Sequence, residues 1–185
     1  DKDDETLFGG GIGVGDGLTT TFDLLTKTGN DSATRVLIAA MDSPVSLIQE
    51  RALTALLHRG SVAGCREIFL RMPRMKPQWK EMVRQQHSRM TGALRDAILG
   101  SDSALCQQGC RTAVWFRDHD LIPALLNTLE SPIRENADAA ATATLELAEC
   151  LYEEFSGARD PSDRRDPKLI RRRVVNSLQQ SLQRF

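Results

Sequence analysis

Apolar residues recur along this chain at intervals of three or four positions, and the alternation typical of strands is absent. After Pro44 they occupy Val45, Ile48, Ala52 and Leu56, which would share one face of a helix because a helix turns once in about 3.6 residues. Shorter apolar stretches, such as "ATRVLIAAM" and "CREIFLRM", precede the prolines. The pattern therefore predicts an all-α fold in which shorter and longer helices alternate.

Segments of the chain repeat one another without a gap. "DSPVSLIQERALTALL" covers residues 42–57, and "ESPIRENADAAATATL" covers residues 130–145, which is a shift of 88 positions. A third copy, "SDSALCQQGCRTAVWF", has serine where the other two have proline. A fixed step indicates an array of one helical unit. With two weaker marks, "RMP" and "RDP", the recurring position falls at Pro44, Pro73, Ser103, Pro132 and Pro161, spaced by 29, 30, 29 and 29 residues.

The recurring Asp/Glu-Ser-Pro stretch has the composition of a junction between two helices. Proline is tolerated in the first turn of a helix because the N–H that it lacks would have no partner there. A serine or aspartate just before it can accept a hydrogen bond from a free N–H group. We therefore expect each copy to end one helix and to begin the next.

The best-matching unit, "LIAAMDSPVSLIQERALTALLHRG", resembles a HEAT-like helical repeat, including its shorter bacterial variety. The resemblance covers residues 32–185 and implies a right-handed α-solenoid of stacked two-helix repeats. In that family a Val-Arg or Val-Lys pair usually follows the turn aspartate, whereas this chain has Gln49, Gln107 and Ala137 there, so a ladder of Asp–Arg pairs is not expected. By this interpretation residues 1–18 are a flexible, acidic and glycine-rich lead-in. Residues 19–185 are the solenoid domain, and further repeats follow it in a longer protein.

The apolar faces also predict which side chains pack between helices. Aromatic residues make up only 5% of the chain, so the core must be mainly aliphatic. The helical period runs unbroken through residues 76–99 and 133–155, and each of these stretches could be one long helix or two joined ones. We expect burial of Leu37, Ile38, Leu53, Ala55, Leu56, Ile68, Trp115, Leu125, Leu126, Leu145 and Leu147.

Charge is unevenly distributed, although the net charge is only −1. Residues 66–95 carry eight Lys and Arg against two Glu, residues 130–154 carry seven acids against one Arg, and residues 159–185 carry eight bases against three Asp. Such segments are either solvated helix faces or a bipolar surface that selects a charged partner. In the second case the candidate interaction residues are Arg74, Lys76, Lys80, Arg84, Arg117, Asp118, His119, Arg171, Arg172 and Arg173.

Part of this charge is expected to be neutralised within the protein. Three successive arginines, Arg171 to Arg173, fan over about 200° of a helix and cannot all lie on one contact face. If the chain folds back by one repeat, the preceding acids come within their reach. We therefore predict ion pairs between these arginines and Glu146, Glu149, Glu153 and Glu154.

These observations favour a non-enzymatic protein-binding or scaffold module. No apolar run approaches the roughly 18 residues of a membrane span, and no motif for a cofactor is present. Cys106 and Cys110 lie four positions apart, but no nearby histidine or second cysteine pair completes a metal site, so we interpret them as buried thiols. We expect a cytoplasmic protein with no cofactor, no catalytic or metal-binding residues, and another protein as its partner.

The stretch "VWFRDHDLIP" at residues 114–123 supports an alternative function in nucleic-acid binding. HEAT-like DNA glycosylases for alkylated bases use Trp, Asp and Arg on a concave basic surface, and Trp115, Arg117 and Asp118 look similar. The other interpretation is a helix end, with Trp115 buried and an aspartate capping the next helix. Nucleic-acid binding by a helical array also requires a continuous basic stripe, which the acidic segment interrupts.

Overall fold

The structure, a computed structural model, describes residues 14–156 and 166–183. Within this part of the chain all regular structure is helical, with ten α-helices, three short 3-10 helices and no strand. The prediction of an all-α fold is confirmed. The α-helices are α1 (Val14–Lys27), α2 (Asp31–Ala40), α3 (Ser46–Arg59), α4 (Val62–Arg71), α5 (Pro77–Gln85), α6 (Thr91–Leu99), α7 (Ser103–Phe116), α8 (Ile122–Thr128), α9 (Arg134–Ser156) and α10 (Pro167–Leu182).

The chain divides into two compact units, residues 1–64 and residues 65–185, where the sequence predicts one domain from residue 19. In the first unit α1 and α2 both pack on α3. In the second unit α7 packs against α6 and α9, and α8 packs against α6, α9 and α10. Helix α1 begins at Val14, inside the predicted lead-in, and the rest of that lead-in lies outside the described residues.

The predicted junctions lie at helix boundaries wherever the structure describes them. Pro44 lies between α2 and α3, Pro132 lies between α8 and α9, and Ser103 is the first residue of α7. Pro73 lies in a 3-10 turn between α4 and α5, whereas Pro161 falls outside the described residues. The recurring position therefore marks helix boundaries, as the sequence predicts.

Two copies of the junction make the same side-chain hydrogen bond. Ser43 Oγ accepts from the Val45 N–H at 3.2 Å, and Ser131 Oγ accepts from the Ile133 N–H at 3.2 Å. Because the intervening proline has no N–H, the hydroxyl reaches the next donor, at the start of the following helix. The backbone bonds that close the preceding helices also repeat 88 residues apart. The Ser-Pro pair recurs because it satisfies the same donor in both junctions.

The two long helical stretches differ from each other. The stretch at residues 76–99 is divided into α5 and α6 by a 3-10 turn, His87–Arg89. Gln86, with φ −116° and ψ 27°, has already left the helical backbone there. The other stretch, from Arg134 onward, is one continuous helix, α9, of 23 residues.

Most of the predicted core is buried, and Ile38 is half-buried. The predictions for Trp115 and Leu145 are wrong, because these side chains are 41% and 68% exposed. The buried residues that the sequence predicts are Leu37, Leu53, Ala55, Leu56, Ile68, Leu125, Leu126 and Leu147.

Helix faces explain both errors. The buried side chains of α9 recur at intervals of three or four residues, and Leu145 lies two residues from the nearest one on either side. A step of two residues is about 200° around a helix, so Leu145 faces away from the core. Trp115 stands two residues after buried Ala113 and is displaced from the buried stripe of α7 in the same way.

A single arginine donates hydrogen bonds to carbonyl oxygens at the end of α1 and in the turn that follows it. Arg59, the last residue of α3, donates from Nη1 to the carbonyl oxygens of Leu25 at 2.7 Å and Thr28 at 2.6 Å. Its Nη2 donates to the Asn30 carbonyl at 3.1 Å, and its Nε donates to Thr34 Oγ1 at 3.2 Å. The last carbonyls of a helix have no partner within that helix. The guanidinium therefore satisfies acceptors that would otherwise depend on water.

Three of the four cysteines lie in the interior. Cys65, Cys106 and Cys110 are buried, Cys150 is half-buried, and all four are free thiols. Burial, with the neighbouring Cys106, raises the pKa of Cys110 to about 12. Burial also raises the pKa values of Cys65 and Cys106. A raised pKa lowers the fraction of thiolate, which is the form that reacts.

We therefore expect only Cys150 to react rapidly with dithionitrobenzoate in the native protein at about pH 8. Absorbance should count one fast thiol before unfolding and all four in urea. Cys150→Ser should remove the fast phase. A fast phase that persists in this variant would show that one of the interior thiols is accessible.

Candidate binding clefts

The second unit carries an open, mainly apolar cleft of about 590 Å³. Helix α7 contributes four side chains at positions i, i+3, i+4 and i+7, which is the spacing of a single helix face. The segment from the end of α4 into α5 forms the other wall. The lining residues are Gln108, Arg111, Thr112 and Trp115 from α7, and Met72, Pro73, Pro77 and Lys80 from the other wall.

Trp115 is the largest exposed apolar side chain of this cleft. Its ring centroid lies 5.2 Å from that of Phe116, which is buried and in turn lies 6.0 Å from the His87 ring. Gln108 is held on the same helix face because its Nε2 donates to the Phe69 carbonyl at 2.8 Å. The indole is thus supported from the core while much of its surface remains open.

Two cations line the cleft, and none of the described residues that line it is acidic. Lys80 lies on the α5 wall and Arg111 on the α7 wall, and neither forms an ion pair among the described residues. Arg74 and Lys76 are exposed in the turn before α5, where Lys76 Nζ lies 4.7 Å from the ring centroid of Trp79. These side chains give the cleft a positive potential that attracts anionic groups.

Arg84 does not belong to this cleft. Its Nε and Nη2 each donate to a Glu81 carboxylate oxygen at 2.8 Å, and that hydrogen bonding lowers the pKa of Glu81. Of the two basic residues on α5 that the sequence analysis proposes for an interaction surface, Lys80 lines the cleft and Arg84 does not. Arg111, which the sequence analysis does not propose, also lines it. The signal for Arg111 in the sequence is its i+4 spacing to Trp115.

A second cleft of about 360 Å³ in the same unit gathers other predicted residues. Asp118 and His119 line it but are only 6% and 7% exposed, so they offer little surface to a macromolecular partner. Both side chains pack inside the junction after α7. Arg117 and Arg173 are exposed at its rim. The other lining residues are His87, Asp120, Asp166, Leu169 and Ile170.

Asp118 has a structural role at this junction. One of its carboxylate oxygens accepts from the Thr91 hydroxyl at 2.7 Å, and the other accepts from the Asp120 N–H at 3.2 Å. Arg117 has left-handed backbone, with φ 52°, and ends α7 so that Asp118 caps the following turn. Asp118 therefore caps the turn after α7, as the interpretation of this stretch as a helix end predicts.

The arginines near the C-terminus pair differently from the prediction. Arg173 contacts Asp120 at 3.0 Å, while the acids at 153–154 pair with Arg117, each at 3.7 Å. No ion pair among the described residues joins the three arginines to the acids of α9, so the predicted partners are wrong. The exposed Arg171 and Arg172 line neither of these two clefts. The end of α7 supplies the cation that contacts α9.

No group of three or more His, Cys, Asp or Glu side chains in the described part of the chain is placed to hold a metal ion. None of the helices at residues 14–156 and 166–183 has the length and apolar character to cross a membrane. No protein-family model matches the chain, and no curated protein matches it significantly. The functional interpretation therefore rests on the residues of the clefts.

Proposed function

We propose that this protein is a binding or scaffold module for another protein, built from HEAT-like helix pairs stacked as an α-solenoid, and that it is not an enzyme. The matching hydrogen bonds of the junctions at Pro44 and Pro132 support the repeat assignment. Stacked helix pairs present an extended face of side chains to a partner. The four free thiols support a reducing compartment, and we assign the protein to the cytoplasm.

One observation carries this proposal: Trp115 is exposed in a cleft in which Lys80 and Arg111 are the charged side chains. Exposed apolar surface in a concave site marks a place where another molecule binds, because its burial is favourable. Tryptophan and arginine are also the side chains that contribute most to binding free energy at protein interfaces. Trp115 and Arg111 lie one helical turn apart and can act on the same ligand.

The occupant that fits is an acidic segment of a partner protein with one bulky apolar side chain. The apolar side chain would pack on Trp115 and Met72, and a neighbouring Asp or Glu would pair with Lys80 or Arg111. Ligand pockets commonly measure about 300–1,000 Å³, so this cleft suits a short segment and not a globular domain. The described residues that line the cleft include two cations and no acid, which favours an anionic partner by charge complementarity.

Nucleic-acid binding, with base excision as the activity, is the alternative. Phosphates would also be attracted to Lys80 and Arg111. Trp115 and Asp118, however, line different clefts, and both carboxylate oxygens of Asp118 are engaged in the junction after α7. Apolar walls with two cations suit a peptide better than a continuous phosphate backbone, which requires a basic stripe.

Selection of randomised peptides displayed on phage, with the full chain as bait, tests the proposal. We expect the enriched peptides to combine Asp or Glu with Leu, Phe or Trp, since only such sequences use both the cations and the indole. A fluorescent single-stranded oligonucleotide serves as the competing probe and should bind more weakly than the best peptide. A lack of acidic peptides with a bulky apolar residue among the enriched sequences, or tighter binding of the oligonucleotide, would contradict it.

A further inference from the structure

A third pocket of the second unit, about 300 Å³ in volume, lies at the junction between α8 and α9. The end of α6, the turn after α8 and the first turn of α9 form its walls. Glu130 is its only charged lining residue among the described residues, none of which places a cation in it. Its other polar side chains are Ser101, Asn127, Thr128, Ser131 and Asn136.

Asn136 has a polar atom that the fold does not satisfy. The side chain is 1% exposed, and its Oδ1 has no hydrogen-bond partner among the described residues. Burial of an amide oxygen without a donor is unfavourable because its hydration is lost. An unsatisfied acceptor in the wall of a pocket points to a donor that enters the pocket.

The repeat provides an internal reference for this position. The residue equivalent to Asn136, 88 positions earlier, is Ile48, and the residue equivalent to Asn127 is Ala39. The first junction makes the same turn with these apolar residues, so the backbone does not require polar ones. The backbone of the junction therefore does not explain why polar side chains occupy positions 127 and 136.

Two acceptors of this pocket, Asn136 Oδ1 and the Glu130 carboxylate, have no partner among the described residues. Ser131 Oγ already accepts from the Ile133 N–H, at 3.2 Å, which satisfies one donor at the start of α9. The amide oxygen of Asn136 and the carboxylate of Glu130 remain for a ligand. The surrounding segment at residues 130–154 carries seven acids against one arginine, which attracts cations over a longer range.

We propose that this pocket binds a protonated amine or guanidinium group, presented by a lysine or arginine side chain of a basic partner segment. The cation donates to Asn136 Oδ1 and pairs with Glu130. A volume near the lower end of the range for ligand pockets, roughly 300–1,000 Å³, suits a single side chain. The site is separate from the Trp115 cleft, and its charge preference is the opposite one.

Nuclear magnetic resonance titration of the full chain tests this site. n-Butylammonium represents the lysine side chain, methylguanidinium represents the arginine side chain, and n-butanol is the neutral control. We expect saturable shifts at the Asn136 side-chain amide and the Ser131 backbone amide with one or both cations, and none with butanol. The cation that binds more tightly distinguishes lysine from arginine.

Two variants decide between a cation site and a structural asparagine. Asn136→Ile, the residue of the first junction, and Glu130→Gln should each lower cation affinity at least about tenfold, because hydrogen bonds to charged groups are strong. Asn136→Ile should keep or raise the thermal midpoint, since it removes the unsatisfied oxygen. Glu135→Gln, at an exposed acid outside the pocket lining, is the matched control and should leave affinity unchanged.

Three results would overturn the proposal. The first is the lack of a saturable shift in the unaltered protein, which would leave an internal water as the partner of Asn136. The second is equal shifts with butanol, and the third is unchanged affinity in Asn136→Ile or Glu130→Gln.

Discussion

Leu56→Ala is expected to lower the free energy of unfolding by about 2–5 kcal/mol. Leu56 is fully buried in α3, which packs against both α1 and α2. The substitution loses the burial of three carbon atoms and leaves a cavity that the surrounding helices refill only in part. Urea unfolding followed by circular dichroism measures the change.

Leu145→Ala is the matched control because that leucine is exposed. Its removal should change the free energy of unfolding by no more than about 0.5 kcal/mol, as is usual for surface positions. A loss below about 0.5 kcal/mol for Leu56→Ala would mean that this face of α3 is not core.

Arg59→Ala is expected to cost about 2–3 kcal/mol of stability, because hydrogen bonds from a charged donor contribute more than neutral ones. The guanidinium contacts the carbonyls of Leu25, Thr28 and Asn30 and the hydroxyl of Thr34. Without the guanidinium, the carbonyl oxygens at the end of α1 lose their hydrogen-bond donor on α3. The same unfolding measurement applies, and loss of helical signal before the main transition would locate the effect at α1.

Two further variants separate the geometry of Arg59 from its charge. Arg59→Lys keeps the charge but cannot reproduce the planar fork, so it should recover less than half of the loss. Arg51→Ala, at an exposed arginine on the same helix, should change stability by no more than about 0.5 kcal/mol. Equal stability of Arg59→Ala and the unaltered protein would contradict the capping role.

The helix boundaries could be predicted because they depend on local chemistry. Pro44 and Pro132 cannot donate a backbone hydrogen bond, and the serine before each satisfies the next donor whatever packs around it. The same holds for Ser103, where the preceding aspartate accepts a hydrogen bond at the start of α7. The step of the repeat was sufficient to locate these junctions.

The exposure of single side chains could not be predicted in this way. Four apolar residues in succession end α7, and only the packing of neighbouring helices decides that Phe116 is buried and Trp115 open. The contacts of Arg59 join positions 25 to 34 residues apart and have no local signal. Asn136 could have been found, because the in-register comparison places it opposite Ile48.

The uneven charge of the sequence corresponds to two distinct clefts in the second unit. Lys80 and Arg111 line the first, and Glu130 is the charged residue of the pocket at the start of α9. We infer that the two sites select oppositely charged segments of a partner. The bipolar surface that the charge distribution suggests would then consist of separate sites on one unit.

Binding of the acidic peptide obtained by selection can be compared across variants of matched chemistry. Tyr152→Ala removes an exposed aromatic ring outside the cleft, and Arg51→Glu reverses an exposed charge outside it. Arg111→Glu should weaken binding and reduce its dependence on salt, because an attractive charge becomes repulsive. Arg51→Glu should alter neither.

Isothermal titration of that peptide into the full chain and into Trp115→Ala is the most direct measurement of the proposed function. Trp115→Ala should weaken binding about 30-fold, which corresponds to about 2 kcal/mol, since the indole supplies the apolar contact. Tyr152→Ala should leave the affinity within about twofold of the unaltered protein. Equal affinities of Trp115→Ala and Tyr152→Ala would contradict the assignment of this cleft as the binding site.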